Sequence, residues 1–245
     1  MIFGIVFVLY LIFTAIERKR TANTGALQIT ITDFERVHFV TPEEIRKTII
    51  DSIGNDLSGI PAHSIHLGKV EAIIRSNPYV KNAEVFLDAS NHINVKLTQR
   101  EAILRVIDMG DVGYYIDTEG VQFPLSRHGT ARVPIATGFI GAGIRCEDLK
   151  KVDCPLHPLL VLIEFIRSNP MWDADIEQIY VDKYGEFTLV PKLGEANIII
   201  GEATHLPEKF HRLEQFYAEA MPYEGWTRYK TINVKYEGQV VCSKE

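Results

Sequence analysis

The chain has 245 residues, 46 % of them hydrophobic and 24 % charged, with a formal net charge of -6. That balance supports a buried core and excludes a disordered tail, and it argues against a nucleic-acid binder, which concentrates positive charge on one face. Three cysteines, Cys146, Cys154 and Cys242, are too few and too scattered for a disulfide framework or a zinc ribbon. Cys146 and Cys154 could pair in an oxidising compartment, but three small buried or semi-buried thiols are the simpler expectation, because a domain of this size needs no staple.

From Met1 to Ile16 the chain is apolar, and no charge occurs before Glu17. Ile2, Phe3, Ile5, Val6, Phe7, Val8, Leu9, Leu11, Ile12 and Phe13 would cover every face of a helix, whereas a core helix keeps one polar face. Residues 1–16 therefore read as a single transmembrane anchor, with membrane contact from Ile2 to Ile16. At about 1.5 Å per residue the run spans about 24 Å, short of a roughly 30 Å hydrocarbon core, so flanking side chains snorkel or the chain begins further upstream. A buried core helix and a cleaved signal peptide are the alternatives; the second calls for a basic leader and a small-residue cleavage site, neither of which is clear. Arg18, Lys19 and Arg20 would by charge bias place the C-terminal side in the cytoplasm, an orientation that a basic leader before Met1 would reverse.

Residues 17–26 read as a juxtamembrane linker. Leu27, Ile29 and Ile31 then alternate with Gln28, Thr30 and Thr32, the pattern of a half-buried strand. Val40-Thr41-Pro42-Glu43-Glu44-Ile45 carries a full helix start: Thr41 as N-cap, Pro42 at the first helical position, Glu44 closing a capping box, and Val40 stapled to Ile45. The helix runs from Pro42 to about Ser52, buries Ile45 and Ile49, and ends at Gly54. Val70, Ile73 and Ile74 mark a second helix that must stop before Pro78. Ala83 to Leu87 and Ile93, Val95, Leu97 form two strands around the turn Asp88-Ala89-Ser90-Asn91. Two helices covering one face of a three-stranded sheet fill residues 27–100.

This strand-helix-helix-strand-strand order, with Phe39-Val40-Thr41-Pro42-Glu43-Glu44-Ile45 and Asn77-Pro78-Tyr79-Val80-Lys81-Asn82-Ala83-Glu84-Val85, resembles a POTRA domain. Such modules occur in outer-membrane assembly proteins, in secretion partners and in the single-pass division proteins FtsQ and DivIB. In the second half, Glu101-Ala102 followed by Tyr114 to Gly120 reads as two strands around an Asp/Gly turn, and Arg132-Val133-Pro134-Ile135-Ala136-Thr137-Gly138 is similar to the matching FtsQ segment. Leu159 to Ile166 reads as a helix closed by Asn169-Pro170. Ile176, Ile179 and Val181 with Phe187 and Leu189 read as a hairpin turning at Lys183-Tyr184-Gly185, and Ile198-Ile199-Ile200-Gly201 as a further strand. A helix then places Phe210, Leu213, Phe216 and Tyr217 on one face and Lys209, Arg212, Glu214 and Glu219 on the other. The alternation Tyr229 to Tyr236, then Gly238 and Gln239-Val240-Val241-Cys242, is similar to the closing strands of FtsQ proteins. The fold expected is α+β: an anchor, a POTRA-like βααββ domain over 27–100, and a mainly antiparallel FtsQ-type β domain with flanking helices over 101–245.

No local catalytic signature occurs: no G-x-S-x-G, no H-E-x-x-H, no phosphate-binding loop. His63 and His66 lack an adjacent carboxylate or Cys cluster and read as loop histidines, not a metal site. Gly138, Gly141 and Gly143 do not lead from a strand into a helix start and read as turn chemistry. No enzymatic activity, cofactor or metal is expected. A terminal strand at a sheet edge is instead a template for a strand from another chain. The resemblance implies binding of FtsB- and FtsL-like division proteins at the division septum of the inner membrane, with the bulk of the chain in the periplasm. It carries that role onto Ile232, Val234, Lys235, Tyr236 and Val240, with Lys235 facing a partner carboxylate and Tyr236 as an anchor. For Ile232 and Val234 the core-facing alternative is the stronger. Asn77, Pro78 and Tyr79 are the corresponding candidates for other division partners, although Pro78 is already explained as a helix stop. The alternative function is a POTRA-containing component of outer-membrane assembly or secretion; such proteins usually repeat the module or carry a β-barrel.

Overall fold

A computed structural model describes residues 5, 7, 9, 10, 12–14, 22–32, 37–146 and 148–244. The anchor expected over 1–16 therefore lies largely outside the described residues. Among those described, Ile5, Phe7, Leu9, Tyr10, Ile12 and Phe13 are exposed, which removes the core-helix alternative for them, and no helix is long and apolar enough to cross a membrane. Residues 17–21 of the expected linker are likewise outside. Residues 22–26 are not free linker: Asn23 bridges Pro61, and the Thr24 hydroxyl is buried and donates to Leu57 O at 2.6 Å. The described chain divides into two compact units, one holding residues up to Arg100 together with Ser126–Thr130, the other holding Glu101–Leu125 and Ala131–Glu245.

In the first unit β1 (Leu27–Thr32), β2 (Val80–Leu87) and β3 (Ile93–Gln99) form a sheet in the order β1-β3-β2. β1 runs parallel to β3, with Leu27 opposite Ile93, and β2 antiparallel to it, with Ala83 opposite Leu97. A parallel pair needs a crossover, and helices α1 (Pro42–Ile53) and α2 (Leu67–Arg75) lie within it. Helix α1 starts as its local sequence dictates. Thr41 Oγ1 accepts from Glu44 N at 3.2 Å, Glu44 Oε2 accepts from Thr41 N at 3.4 Å, and Gly54 closes the helix by donating to Ile50 O at 2.7 Å. Ile45, Ile49, Val70 and Ile74 are buried from the helices against Val95 and Leu97 of the sheet, each contributing about 1.5–3 kcal/mol of transfer energy. Ser126 and His128 belong to this unit by contact: Ser126 Oγ donates to Phe39 O at 2.7 Å, and His128 Nε2 pairs with Glu44 Oε1 at 2.6 Å.

In the second unit nine strands form one sheet in the order β12-β11-β10-β9-β8-β7-β4-β5-β6. They are β4 (Ala102–Ile107), β5 (Gly113–Asp117), β6 (Gln122–Pro124), β7 (Ile135–Gly138), β8 (Ile176–Val181), β9 (Phe187–Pro191), β10 (Asn197–Gly201), β11 (Thr231–Asn233) and β12 (Val241–Ser243). The sheet is mixed: β4–β7, β7–β8 and β10–β11 pair parallel, the other neighbours antiparallel. Helices α3 (His157–Ser168), α4 (Pro170–Asp175), α5 (Leu206–Glu219) and α6 (Met221–Glu224) complete the unit. Leu160, Ile163 and Ile166 of α3, Trp172 of α4, and Phe210 and Leu213 of α5 share one core with the sheet. Trp172 meets Phe210 edge-on at 5.3 Å between ring centres.

Four sequence expectations are corrected here. Asn169-Pro170 closes α3 but also opens α4, because the Asn169 side chain accepts from Met171 N at 2.9 Å. Cys146 and Cys154 are not separate thiols: they form a disulfide, with Cα atoms 6.0 Å apart, and Cys242 is free. The polar face assigned to α5 is partly internal. Lys209 is buried, and Glu214 Oε1 accepts from Trp172 Nε1 and Asn169 Nδ2, each at 3.1 Å. The strand expected over Tyr229 to Tyr236 shortens to Thr231–Asn233 and is interior to the sheet, between β10 and β12.

Candidate functional site

The two ends of the nine-stranded sheet differ. β6 is three residues long and finishes in Pro124, which cannot donate to a further strand. At the other end β12 pairs with β11 on one side, Ile232 opposite Cys242, and among the described residues no strand covers its outer side. An uncovered strand edge of this kind is a template for strand addition in general.

Around it the sequence candidates separate. Ile232 and Val234 are fully buried. Their backbone groups are also engaged: Ile232 pairs with both neighbours, Val234 N donates to Ile199 O at 3.0 Å, and Val234 O accepts from Arg212 Nη2 at 2.9 Å. Val240 is half-buried against the core of this unit. Lys235 and Tyr236 follow the end of β11 and point elsewhere. Lys235 N is fixed by Asn233 Oδ1 at 2.9 Å, and its ammonium pairs with Glu186 of the β8–β9 turn. The Glu186 carboxylate holds that ammonium above the usual lysine range. Tyr236 is 50 % exposed and its carbonyl accepts from Arg212 Nη2 at 3.2 Å. Glu186 and Arg212, which hold this segment in place, carry no signal in the sequence that would have named them.

Asn77, Pro78 and Tyr79 lie in the first unit, apart in the chain from the terminal set. Asn77 Oδ1 accepts from Tyr79 N at 3.0 Å, Pro78 O accepts from Arg100 Nε at 3.1 Å, and the Tyr79 ring stacks on Phe39 with centres 6.2 Å apart. Burial raises the Tyr79 phenol above its ordinary value, with Glu44 adding to the shift. His63 and His66 are exposed, and among the described residues no group of three or more His, Cys, Asp or Glu could hold a metal ion.

The described chain is thus a βααββ module and a large mixed sheet whose terminal strand, among the described residues, has one side uncovered. Residues 24–98 match the POTRA-like domain family, and residues 101–243 match the family described as FtsQ/DivIB, C-terminal related. The chain belongs to the FtsQ/DivIB family, non-catalytic scaffold proteins of cell division whose place is the division septum. A search of curated proteins finds no match.

Proposed function

We propose that this chain is a non-enzymatic scaffold of the bacterial divisome, a single-pass inner-membrane protein with its bulk in the periplasm. It links early division proteins to septal peptidoglycan synthesis by binding FtsB- and FtsL-like partners. The observation that carries this reading is the outer side of β12, which no strand covers among the described residues, together with the half-exposed Tyr236 of the same hairpin segment. A partner strand added there gains main-chain hydrogen bonds, while Tyr236 supplies an amphipathic anchor and Lys235 meets a partner carboxylate in exchange with Glu186. Ile232, Val234 and Val240 act from the core side by holding the hairpin, and Asn77, Pro78 and Tyr79 form a second surface for other division proteins. The Cys146–Cys154 disulfide suits the oxidising periplasm.

The test is binding of the full chain, in detergent, to an FtsB-like peptide, comparing the native protein with Tyr236→Ala and Lys235→Glu. A loss of about tenfold or more in both, with unchanged thermal melting, is the expected result. Unchanged binding in both variants moves the site off the terminal hairpin. No binding by the native chain overturns the scaffold reading in favour of a POTRA-containing assembly or secretion component.

A further inference from the structure

Beside the terminal hairpin, between α5 and the Val234–Glu237 segment, lies a cleft of about 270 Å³. Its charges are unequally compensated. Lys235 and Glu186 neutralise one another. Lys209 is 6 % exposed, its ammonium donates to Glu202 O at 2.7 Å, and among the described residues no carboxylate stands within ion-pair distance of it, so two of its three donors are unspent there. Arg212, three residues further along α5, gives Nη2 to Val234 O and Tyr236 O, and its Nε is buried without a partner. Burying a cation without a counter-charge is costly, and a cleft that holds Lys209 in that state is poised for an anion. The cleft's other acids, Glu202, Glu208 and Glu237, are exposed, so water and salt screen them more than they screen the buried Lys209 ammonium.

We propose that this cleft is a carboxylate subsite that receives one Asp or Glu side chain of the partner segment docked along β12, separate from any carboxylate that meets Lys235. The proposal rests on the docking reading given above. The carboxylate accepts from Lys209 Nζ and Arg212 Nε in charge-assisted hydrogen bonds. Arg212 also joins the subsite to the anchor, since the same guanidinium holds the Tyr236 carbonyl. Burial keeps the Lys209 ammonium below the ordinary lysine value, Arg212 and Lys235 push the same way against Glu202 and Glu186, and a bound carboxylate reverses the shift.

Two measurements test it on the full chain. In the first, the FtsB-like peptide and versions with each Asp or Glu changed to the amide are titrated against the native protein and Lys209→Met, whose side chain keeps the length without the charge. One amide peptide is expected to bind the native chain about tenfold more weakly, and Lys209→Met is expected to abolish that difference. A Lys209→Met loss equal for every peptide, or no loss, overturns the subsite. The second needs no docking: the Lys209 13Cε resonance, assigned through Lys209→Met, is titrated with and without excess N-acetylglutamic acid amide. An upward shift of its titration supports the subsite even where the peptide fails to bind, in which case the docking reading alone falls. An unmoved Lys209 overturns the subsite whatever the peptide does.

Discussion

Gly138 ends β7 at the middle of the large sheet, with φ +102, and its register partner on β8 is Val181. A Cβ built there would lie 2.1 Å from Val181 O, 3.0 Å from Val181 N and 2.9 Å from Tyr180 Cε2. That oxygen is already the acceptor for Phe139 N at 2.8 Å, so it cannot move away without losing a sheet hydrogen bond. Gly185, in the β8–β9 turn, has φ +81 and nothing within 4 Å of its added Cβ. Gly185→Ala therefore carries only the left-handed backbone cost of about 1–2 kcal/mol. Gly138→Ala adds a backbone collision that must part β7 from β8, and we expect a total loss of about 4 kcal/mol or more, the range reserved for a broken core feature. Both tryptophans, Trp172 and Trp226, lie in this unit, so fluorescence-monitored urea unfolding reports on it alone. A Gly138→Ala midpoint that gives a stability within about 1 kcal/mol of Gly185→Ala would refute the reasoning; failure of Gly138→Ala to fold falls on the expected side.

The Cys146–Cys154 bond closes a short loop, with a sequence separation of 8. Its loss in Cys146→Ser is expected to lower the stability of this unit by about 2–3 kcal/mol, and a reductant should lower the native melting temperature but leave the variant's unchanged. Asp108 is buried and accepts from Gly143 N at 2.8 Å, Val112 N at 3.0 Å and Gly110 N at 2.8 Å. These donors, Gly143 first, hold its carboxyl below the usual carboxylate range. A depressed carboxyl contributes stability that is present above the unfolded carboxylate value and is lost as pH falls through the folded one. Asp108→Asn is therefore expected to melt lower than the native chain at neutral pH, with the gap narrowing as pH is taken below about 4. A gap that stays constant with pH would separate Asp108 from the acid sensitivity.

Much of the first unit was legible because its signals are local. Thr41, Pro42 and Glu44 act within one helical turn, and the alternation in β1 and β3 needs only neighbouring residues. The turn at Asp182 is equally local: its carboxylate accepts from Tyr184 N at 2.7 Å and Glu186 N at 2.9 Å. β4 was harder to read. Ile103, Leu104 and Val106 are all buried, so the strand has no polar side to alternate against, and the sequence marks its start at Glu101-Ala102 but not its extent to Ile107. The helical period placed Phe210 and Leu213 together correctly, yet set Lys209 and Glu214 on an outer face, since periodicity reports direction around a helix and not what packs there.

The sequence by itself determined the βααββ order, the hairpin turns, the family resemblance and the terminal hairpin as the region of interest. The core-facing reading of Ile232 and Val234, already the stronger from the sequence, agrees with their burial, whereas tertiary structure alone decided which strand of that hairpin is outermost and that Cys146 joins Cys154. It also decided that Glu186 and Arg212 hold the segment carrying Lys235 and Tyr236, across separations of 49, 22 and 24 residues. Caps, turns and alternation are interactions between residues a few positions apart, so they are written in order along the chain. An edge, a buried cation or a paired charge depends on which distant segment folding brings alongside, and no spacing within one stretch encodes that neighbour.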